Sequence, residues 1–393
     1  MKRKMQICFL GLVVLLMTAV PLLTVFSTEK GVSFYEQRAL AGLPVPTKET
    51  VLNGQFFSGI ETFLQDHIFA RDALLTVNTA AELALDRVAV NDLIVTEDNL
   101  LDKYGFSYWD LGYLTDQAKA KAAQYAALSK TVSGYGGYFC YLGVPQFTTY
   151  FADKYPEFMD SRLWHTTGIR DAFSAAMAEQ GVPFINMYAE YQSIGMPEEY
   201  YFDSDHHYTT EGAFFAVETL LEHLQKNGGR ELTYLRQADY NIRTLPNPFL
   251  GSSNRKLYGL WESRDRITVM TPKQEIPYTR TDNTTDPVGY IWQLPANDTD
   301  AVSYGVYMGG DLAETVIQTN RPELPSILIY GDSFTNPVEA LLWPNFNETR
   351  SLDYRYYSAK TLTEYIAEYQ PDYVICIRDE STYLNDTGNG ITQ

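Results

Sequence analysis

Hydrophobic positions change their spacing several times along the chain, and each change marks a different element. Met5 to Phe26 is an almost unbroken apolar run behind Lys2, Arg3 and Lys4. That length suits a helix crossing a bilayer core, and the positive residues ahead of it predict a cytoplasmic amino end with the remainder outside. Thr24-Val25-Phe26-Ser27 offers no small-x-small cleavage site, which favours an uncleaved single-pass anchor over a removed signal peptide. Residues 27–50 read as a polar, proline-containing stem. Over 51–88 the spacing turns helical, with Phe57, Ile60, Leu64 and Ile68 on one stripe. Residues 89–105 read as a strand pair turning at Glu97-Asp98-Asn99, and helix signals run from Asp116 to about Thr131.

Strand and helix patterns then alternate. Gly137 to Gly143 reads as a buried strand, 167–180 as a helix, Val182 to Asn186 as a strand and Ala213 to Gln225 as a strongly periodic helix. Residues 228–322 are polar, turn-rich and aromatic, and read as a β-rich insertion. The α/β pattern resumes with the strand Ser326 to Tyr330 and closes with the strand Tyr373 to Ile377. The alternation predicts an α/β fold: a mostly parallel sheet with helices on both faces. The expected division is 1–26 cytoplasmic tip and transmembrane anchor, 27–105 stem and helical segment, and 106–393 α/β domain carrying the insertion. Strand ends from both halves would meet at one edge of the sheet, where such folds place their sites.

An apolar content of 45% with 20% charged residues belongs to a globular chain. Forty-nine acidic against thirty basic residues give a net charge of −19, which argues against a nucleic-acid partner. Strongly anionic polymers are also disfavoured unless a local basic patch collects them. The run holding Arg255, Lys256, Tyr258, Trp261, Arg264 and Arg266 is a candidate patch, though it reads more readily as a solvated loop or edge strand. Cys140 and Cys376 sit in apolar strand patterns, where a disulfide and two buried thiols both fit. There is no CxxC, P-loop or GxGxxG, so no cofactor is expected.

Two short segments carry the candidate chemistry. Gly331-Asp332-Ser333-Phe334 follows the strand at 326–330 and precedes a helix start, read with Asn336 as N-cap, Pro337 at the first helical position and Glu339 three past the cap. A serine in such a turn is exposed at the carboxyl edge of a parallel sheet, near amides that can hold an oxyanion. The second segment is Asp203-Ser204-Asp205-His206-His207-Tyr208-Thr209. If Tyr201 to Tyr208 is extended, Asp205 and His207 point to the same side. A carboxylate on one imidazole nitrogen then orients a base for the serine. Thr209 can cap the following helix. Two other readings fit the same residues: a cluster satisfying a helix start, or a metal site using Asp203, Asp205, His206 and His207.

The Asp205-His206-His207-Tyr208 block, followed by Thr209-Thr210-Glu211-Gly212-Ala213, resembles the bacterial DHHW-motif proteins. It also resembles alginate O-acetyltransferases of the AlgX/AlgJ type, in the SGNH hydrolase-like superfamily with a permuted motif order. Similar blocks are Glu36 to Leu40 with Leu43-Pro44, Gln65 to Asp72, Tyr307 to Asp311, Leu352 to Tyr356 and Pro371 to Ile375. The resemblance implies Ser333 as nucleophile, His207 as base and Asp205 as its orienting acid, with no metal. Tyr208 stands where Trp is usual, and Gln146 where alginate acetyltransferases often have a basic residue; both fall on the substrate side. Gly310, in a glycine pair, is a candidate second oxyanion donor. Arg355 is a candidate substrate contact or a structural ion pair. The implied activity is extracytoplasmic O-acetyl transfer to a cell-surface or exported polysaccharide, with a membrane acyl-donor protein as partner and the bilayer engaged through residues 5–26. A carbohydrate acetylesterase and a non-catalytic polysaccharide-binding or export scaffold are the alternatives.

Overall fold

The computed structural model describes residues 2–26, 31–104, 110–283, 287–388 and 390. The first stem residues, 27–30, and the expected start of the α/β domain at 106 lie outside them. Contacts divide the chain into two compact units, Met1–Asn91 with Asn254–Glu262, and Asp92–Ser253 with Ser263–Gln393.

In the smaller unit, α1 spans Lys2–Phe26. Its stretch Arg3–Thr24 is long and apolar enough to cross a membrane: 22 residues at about 1.5 Å each reach roughly 33 Å, against a hydrocarbon core of about 30 Å. The periodic run at 51–88 is not one helix. A short helix, Lys48–Leu52, precedes α2, Gln55–His67, and α3, Arg71–Ala84. The breaks fall at Gly54 and Ala70, both with left-handed backbone. The expected stripe is also not the inward face of α2. Asp66 is buried there instead, taking a fork of hydrogen bonds from the Arg38 guanidinium and one from the Ala41 amide.

The larger unit opens with the hairpin β1, Leu93–Val95, and β2, Leu100–Asp102. Helix α4, Leu111–Gly134, starts earlier than its periodicity indicates, because the Asp110 carboxylate accepts from the Gly112 amide and caps it there. Next come β3, Tyr138–Val144; α5, Leu163–Glu179; β4, Phe184–Asn186; and α6, Thr210–Asn227. The insertion supplies β5, Tyr240–Thr244, and β6, Thr268–Pro272, which pair as a separate hairpin. It also supplies β7, Thr279–Asp282, and β8, Glu314–Gln318. The chain closes through β9, Ser326–Gly331; α7, Thr335–Leu342; β10, Glu348–Leu352; α8, Leu362–Tyr369; and β11, Tyr373–Asp379.

Seven strands form the main sheet in the order β7-β8-β10-β9-β11-β3-β4. The five from β10 to β4 are parallel; β7 and β8 extend the edge antiparallel. The insertion is therefore partly built into the sheet. Alternation along each strand splits the core into two layers. Phe139, Tyr141, Leu328, Tyr330, Val374 and Cys376 pack against α4, α5 and α8. Cys140, Leu142, Ile327, Ile329, Ile375 and Ile377 pack against α6 and α7 on the other face. The register settles the cysteines: Cys140 lies opposite Ile375 and Cys376 opposite Tyr141, so the two thiols point to opposite faces and stay free. Ser333, Gln146 and Arg355 all follow strand ends, so they gather along the carboxyl edge of the parallel strands.

Candidate active site

The segment that carries Asp205 and His207 is a tight loop, not the extended strand expected from its spacing. Tyr201 and Tyr208 form an isolated antiparallel bridge, closed by Phe202 N–H on the His207 carbonyl and Thr209 N–H on the Tyr200 carbonyl. Between them the Asp265 carboxylate accepts from the Asp203 and Ser204 amides at 3.0 and 2.9 Å. Asn99 donates to Asp203 at 2.7 Å. Burial, with the charge of Asp265 beside it, pushes the Asp203 carboxyl up to about 7. Asp203 thus braces the loop from behind. Thr209 caps α6 as expected, accepting from the Gly212 amide.

The loop turns Asp205 back on His207. Asp205 Oδ1 lies 2.6 Å from His207 Nδ1 and 3.2 Å from its amide nitrogen, while Oδ2 accepts from the Ser252 amide at 2.6 Å. Burial pushes the Asp205 carboxyl up, but the charge and hydrogen bond of His207, the nearby His206 and the Ser252 amide hold it well below the usual carboxylate range. Asp205 is therefore the ionised acceptor, Nδ1 carries the hydrogen, and Nε2 accepts. Nε2 lies 2.7 Å from Ser333 Oγ. The Tyr304 ring stacks on the imidazole at 3.7 Å and 12°, and its hydroxyl donates to the Ser333 carbonyl at 3.1 Å. One side chain thus fixes both base and serine. Phe334 covers the imidazole at 4.9 Å between ring centres.

The serine turn is built at the end of β9. Gly331 is required by close approach: a Cβ there would stand 1.9 Å from the Ile377 carbonyl oxygen. Asp332 accepts from the Phe334 amide at 3.1 Å. Burial and the nearby Asp379 charge, opposed by Arg378, push Asp332 up to about 7. Helix α7 begins at Thr335, so Asn336 is not the cap that the Asn-Pro pattern indicates. Asn336 instead donates from Nδ2 to Asp311 at 2.9 Å. The Thr335 and Asn336 amides are satisfied by the Asp332 and Ser333 carbonyls.

The other expected site residues do other work. Tyr208 is buried and its hydroxyl donates to the Phe334 carbonyl, so it joins the base loop to the serine turn rather than facing a substrate. The Gly310 amide donates to the Tyr307 carbonyl at 3.0 Å and is unavailable to an oxyanion. Arg355 forms ion pairs with Asp353 and Asp311 at 2.6 and 2.9 Å. Through Asp311 it steadies Asn336. The Gln146 amide nitrogen donates to Glu380 and its side chain to the Tyr104 hydroxyl at 3.2 Å. Asp205, His206 and His207 could offer ligand atoms within 4.8 Å of one another. Yet both nitrogens of His207 and both oxygens of Asp205 already have partners, and Asp203 turns to Asn99. His206 stands aside, about half exposed, with Nδ1 2.9 Å from Ser252 Oγ. Sequence reading missed Ser252, Asp265 and Tyr304, which lie 46 to 97 residues beyond the loop they hold.

No protein-family model and no curated protein sequence matches the chain. Solved structures do match its fold. Bacillus cereus PatB1 superposes with a TM-score of 0.63 at 20% identity, over 76% of this chain and 98% of that one. The same protein carrying a sulfonyl adduct gives 0.63 at 18%, over 76% and 97%. A DHHW family protein from Eubacterium siraeum gives 0.59 at 19%, over 77% and 96%. The chain thus shares the α/β fold of these proteins, here with a Ser333–His207–Asp205 chain of hydrogen bonds at the carboxyl edge of its sheet.

Proposed function

We propose that the protein is a membrane-anchored, extracytoplasmic O-acetyltransferase that carries the acetyl group on Ser333 and passes it to a hydroxyl of a cell-surface or exported polysaccharide. The observation that carries this reading is the line from Asp205 through His207 to Ser333 Oγ, with steps of 2.6 and 2.7 Å. Ser333 Oγ bonds to the acyl carbon of the donor as its proton passes to His207 Nε2. Asp205 stabilises the imidazolium through Nδ1–H. The Ser333 N–H, which has no acceptor among the described residues, faces the oxyanion. The tetrahedral species collapses, and the leaving group takes the proton from Nε2. A sugar hydroxyl then gives its proton to Nε2 and bonds to the acyl carbon. The Ser333 ester bond breaks and Oγ recovers the proton.

Acetyl as the group, polysaccharide as the acceptor and a membrane protein as the donor rest on the motif resemblance; α1 supports the anchor. The sulfonyl adduct on a neighbour of the same fold is in keeping with a reactive nucleophile in such a sheet. A second reading, hydrolysis, is favoured by the partial exposure of Ser333, which admits water as the competing acceptor. Residues 31–393 with an activated acetyl ester should release acetate, and added oligosaccharides should divert the label into acetylated sugar. Acetate alone, whatever sugar is offered, would make the protein an esterase. No release at all would leave a binding scaffold.

A further inference from the structure

Helices α2 and α3 each leave part of their apolar surface turned outward. On α2 the polar Asp66 is buried, at 6% exposure, while Phe57 and Leu64 on the opposite side are 61% and 49% exposed. On α3 the buried residue is Thr79, at 1%, and Leu74 and Val77 on the far side are 53% and 69% exposed. The inward faces are fixed by specific polar bonds: Asp66 to Arg38 and Ala41, Thr79 to Asn91. Apolar faces left outward on two successive helices call for a cover that the folded unit does not supply.

The position of that cover follows from α1. The Thr24 hydroxyl, at the carboxyl end of the membrane-length stretch, accepts a hydrogen bond from the Phe69 amide at 2.9 Å. Phe69 and Ile68 form the junction between α2 and α3, and both are exposed. A helix of roughly 33 Å that crosses a core of about 30 Å puts Thr24 at the outer boundary of the hydrocarbon. The junction is therefore at that boundary too. Apolar side chains turned outward on two helices that meet at this level suit the headgroup–acyl boundary of a bilayer.

We infer that α2 and α3 are interfacial helices whose Phe57–Leu64 and Leu74–Val77 faces rest in the outer lipid boundary. The inference rests on the membrane-anchor reading of α1. Its consequence is a second membrane contact, which restricts the swing of this unit about its anchor.

Nitroxide labels test this on the full chain in phosphatidylcholine–phosphatidylglycerol vesicles. Leu64→Cys and Val77→Cys are placed in a Cys8→Ser background, where Cys140 and Cys376 are buried. Leu12→Cys reports α1, and the exposed Glu231→Cys reports water. The expected result is loss of nickel-chelate access with gain of oxygen access at 64 and 77, intermediate between 12 and 231. With the label at 12 in lipid, nickel access at 64 and 77 equal to that at 231 overturns the interfacial placement alone. Shielding from both nickel and oxygen marks protein packing and overturns it as well. A label at 12 open to nickel overturns the anchor on which the inference stands.

Discussion

His207 has both ring nitrogens committed, one to Asp205 at 2.6 Å and one to Ser333 at 2.7 Å. Ser333→Ala should abolish turnover of an activated acetyl ester, and His207→Ala should come close, since a neutral hydroxyl without a base is a poor nucleophile. Asp205→Asn should cost on the order of 10⁴ in kcat by favouring the wrong tautomer. Its fold should survive, which circular dichroism checks. Tyr304→Phe keeps the stack on His207 and loses one hydrogen bond, so its loss should be mild. Tyr304→Ala loses both and should cost about tenfold or more, roughly 1.4 kcal/mol of barrier. Chelators should leave turnover unchanged, because both functional atoms of each member of the Asp205–His207 pair are already occupied. Loss on chelation with recovery on zinc would instead make the pair metal ligands. The Asp-x-His spacing left a contact between these two residues possible, but through an extended strand, whereas a tight loop makes it. Tyr304 and Ser252 left no such signal; only the folded chain brings them to the loop.

Elements explain where local patterns mislead. Asn336-Pro337 has the composition of a helix start, yet α7 begins at Thr335 because the serine turn already supplies carbonyls for the first amides. Glu339, expected to serve that start, is instead buried in α7, accepting from Thr335 and Ser351 at 2.7 and 2.6 Å. Burial pushes it up to about 7 from an ordinary value of 4.5. The folded chain then holds a proton that the unfolded chain releases, so this contribution to stability is full below pH 4.5 and lost as pH rises through 7. Asp332 and Glu380, also pushed up to about 7 by burial, act in the same direction. Burial holds the His206, His165 and His223 imidazoles below their ordinary value, and these work the other way. The test is therefore the difference: Glu339→Gln should gain melting temperature relative to the parent as pH rises from 4.5 to 7.5, and a constant difference would mean that Glu339 does not titrate in this range. Gly331→Ala should destabilise by about 3 kcal/mol or more in urea unfolding, since its Cβ meets backbone rather than a movable side chain. Four of the five parallel strands were legible as short apolar runs; β10, with the largely polar Glu348-Thr349-Arg350-Ser351, was not. The antiparallel edge was not, because β7 and β8 lie in a polar segment whose partners are set by the whole sheet.

At the scale of the molecule, the long separation between His207 and Ser333 is absorbed by the sheet. The insertion leaves after α6, forms the β5–β6 hairpin, adds β7 and β8 to the edge and returns to β9, whose end meets the loop before α6. The order of Asp205, His207 and Ser333 along the chain is then a matter of chain path, not of site geometry. For the proposed transfer, the net charge of −19 disfavours a strongly anionic acceptor and suits a neutral or weakly charged one. If α1 holds the protein outward, protease added to intact cells should digest the chain beyond residue 26 and spare α1; full protection would reverse the orientation.

The proposed transfer passes through an acetyl-serine at position 333, which can be trapped. The protein is mixed with an activated acetyl ester without acceptor, quenched in acid within the burst phase, digested and weighed. One added acetyl group is expected on the peptide holding Gly331-Asp332-Ser333-Phe334, absent in Ser333→Ala and lost on chase with acceptor. Turnover without that adduct, or with the acetyl group on another residue, would contradict it.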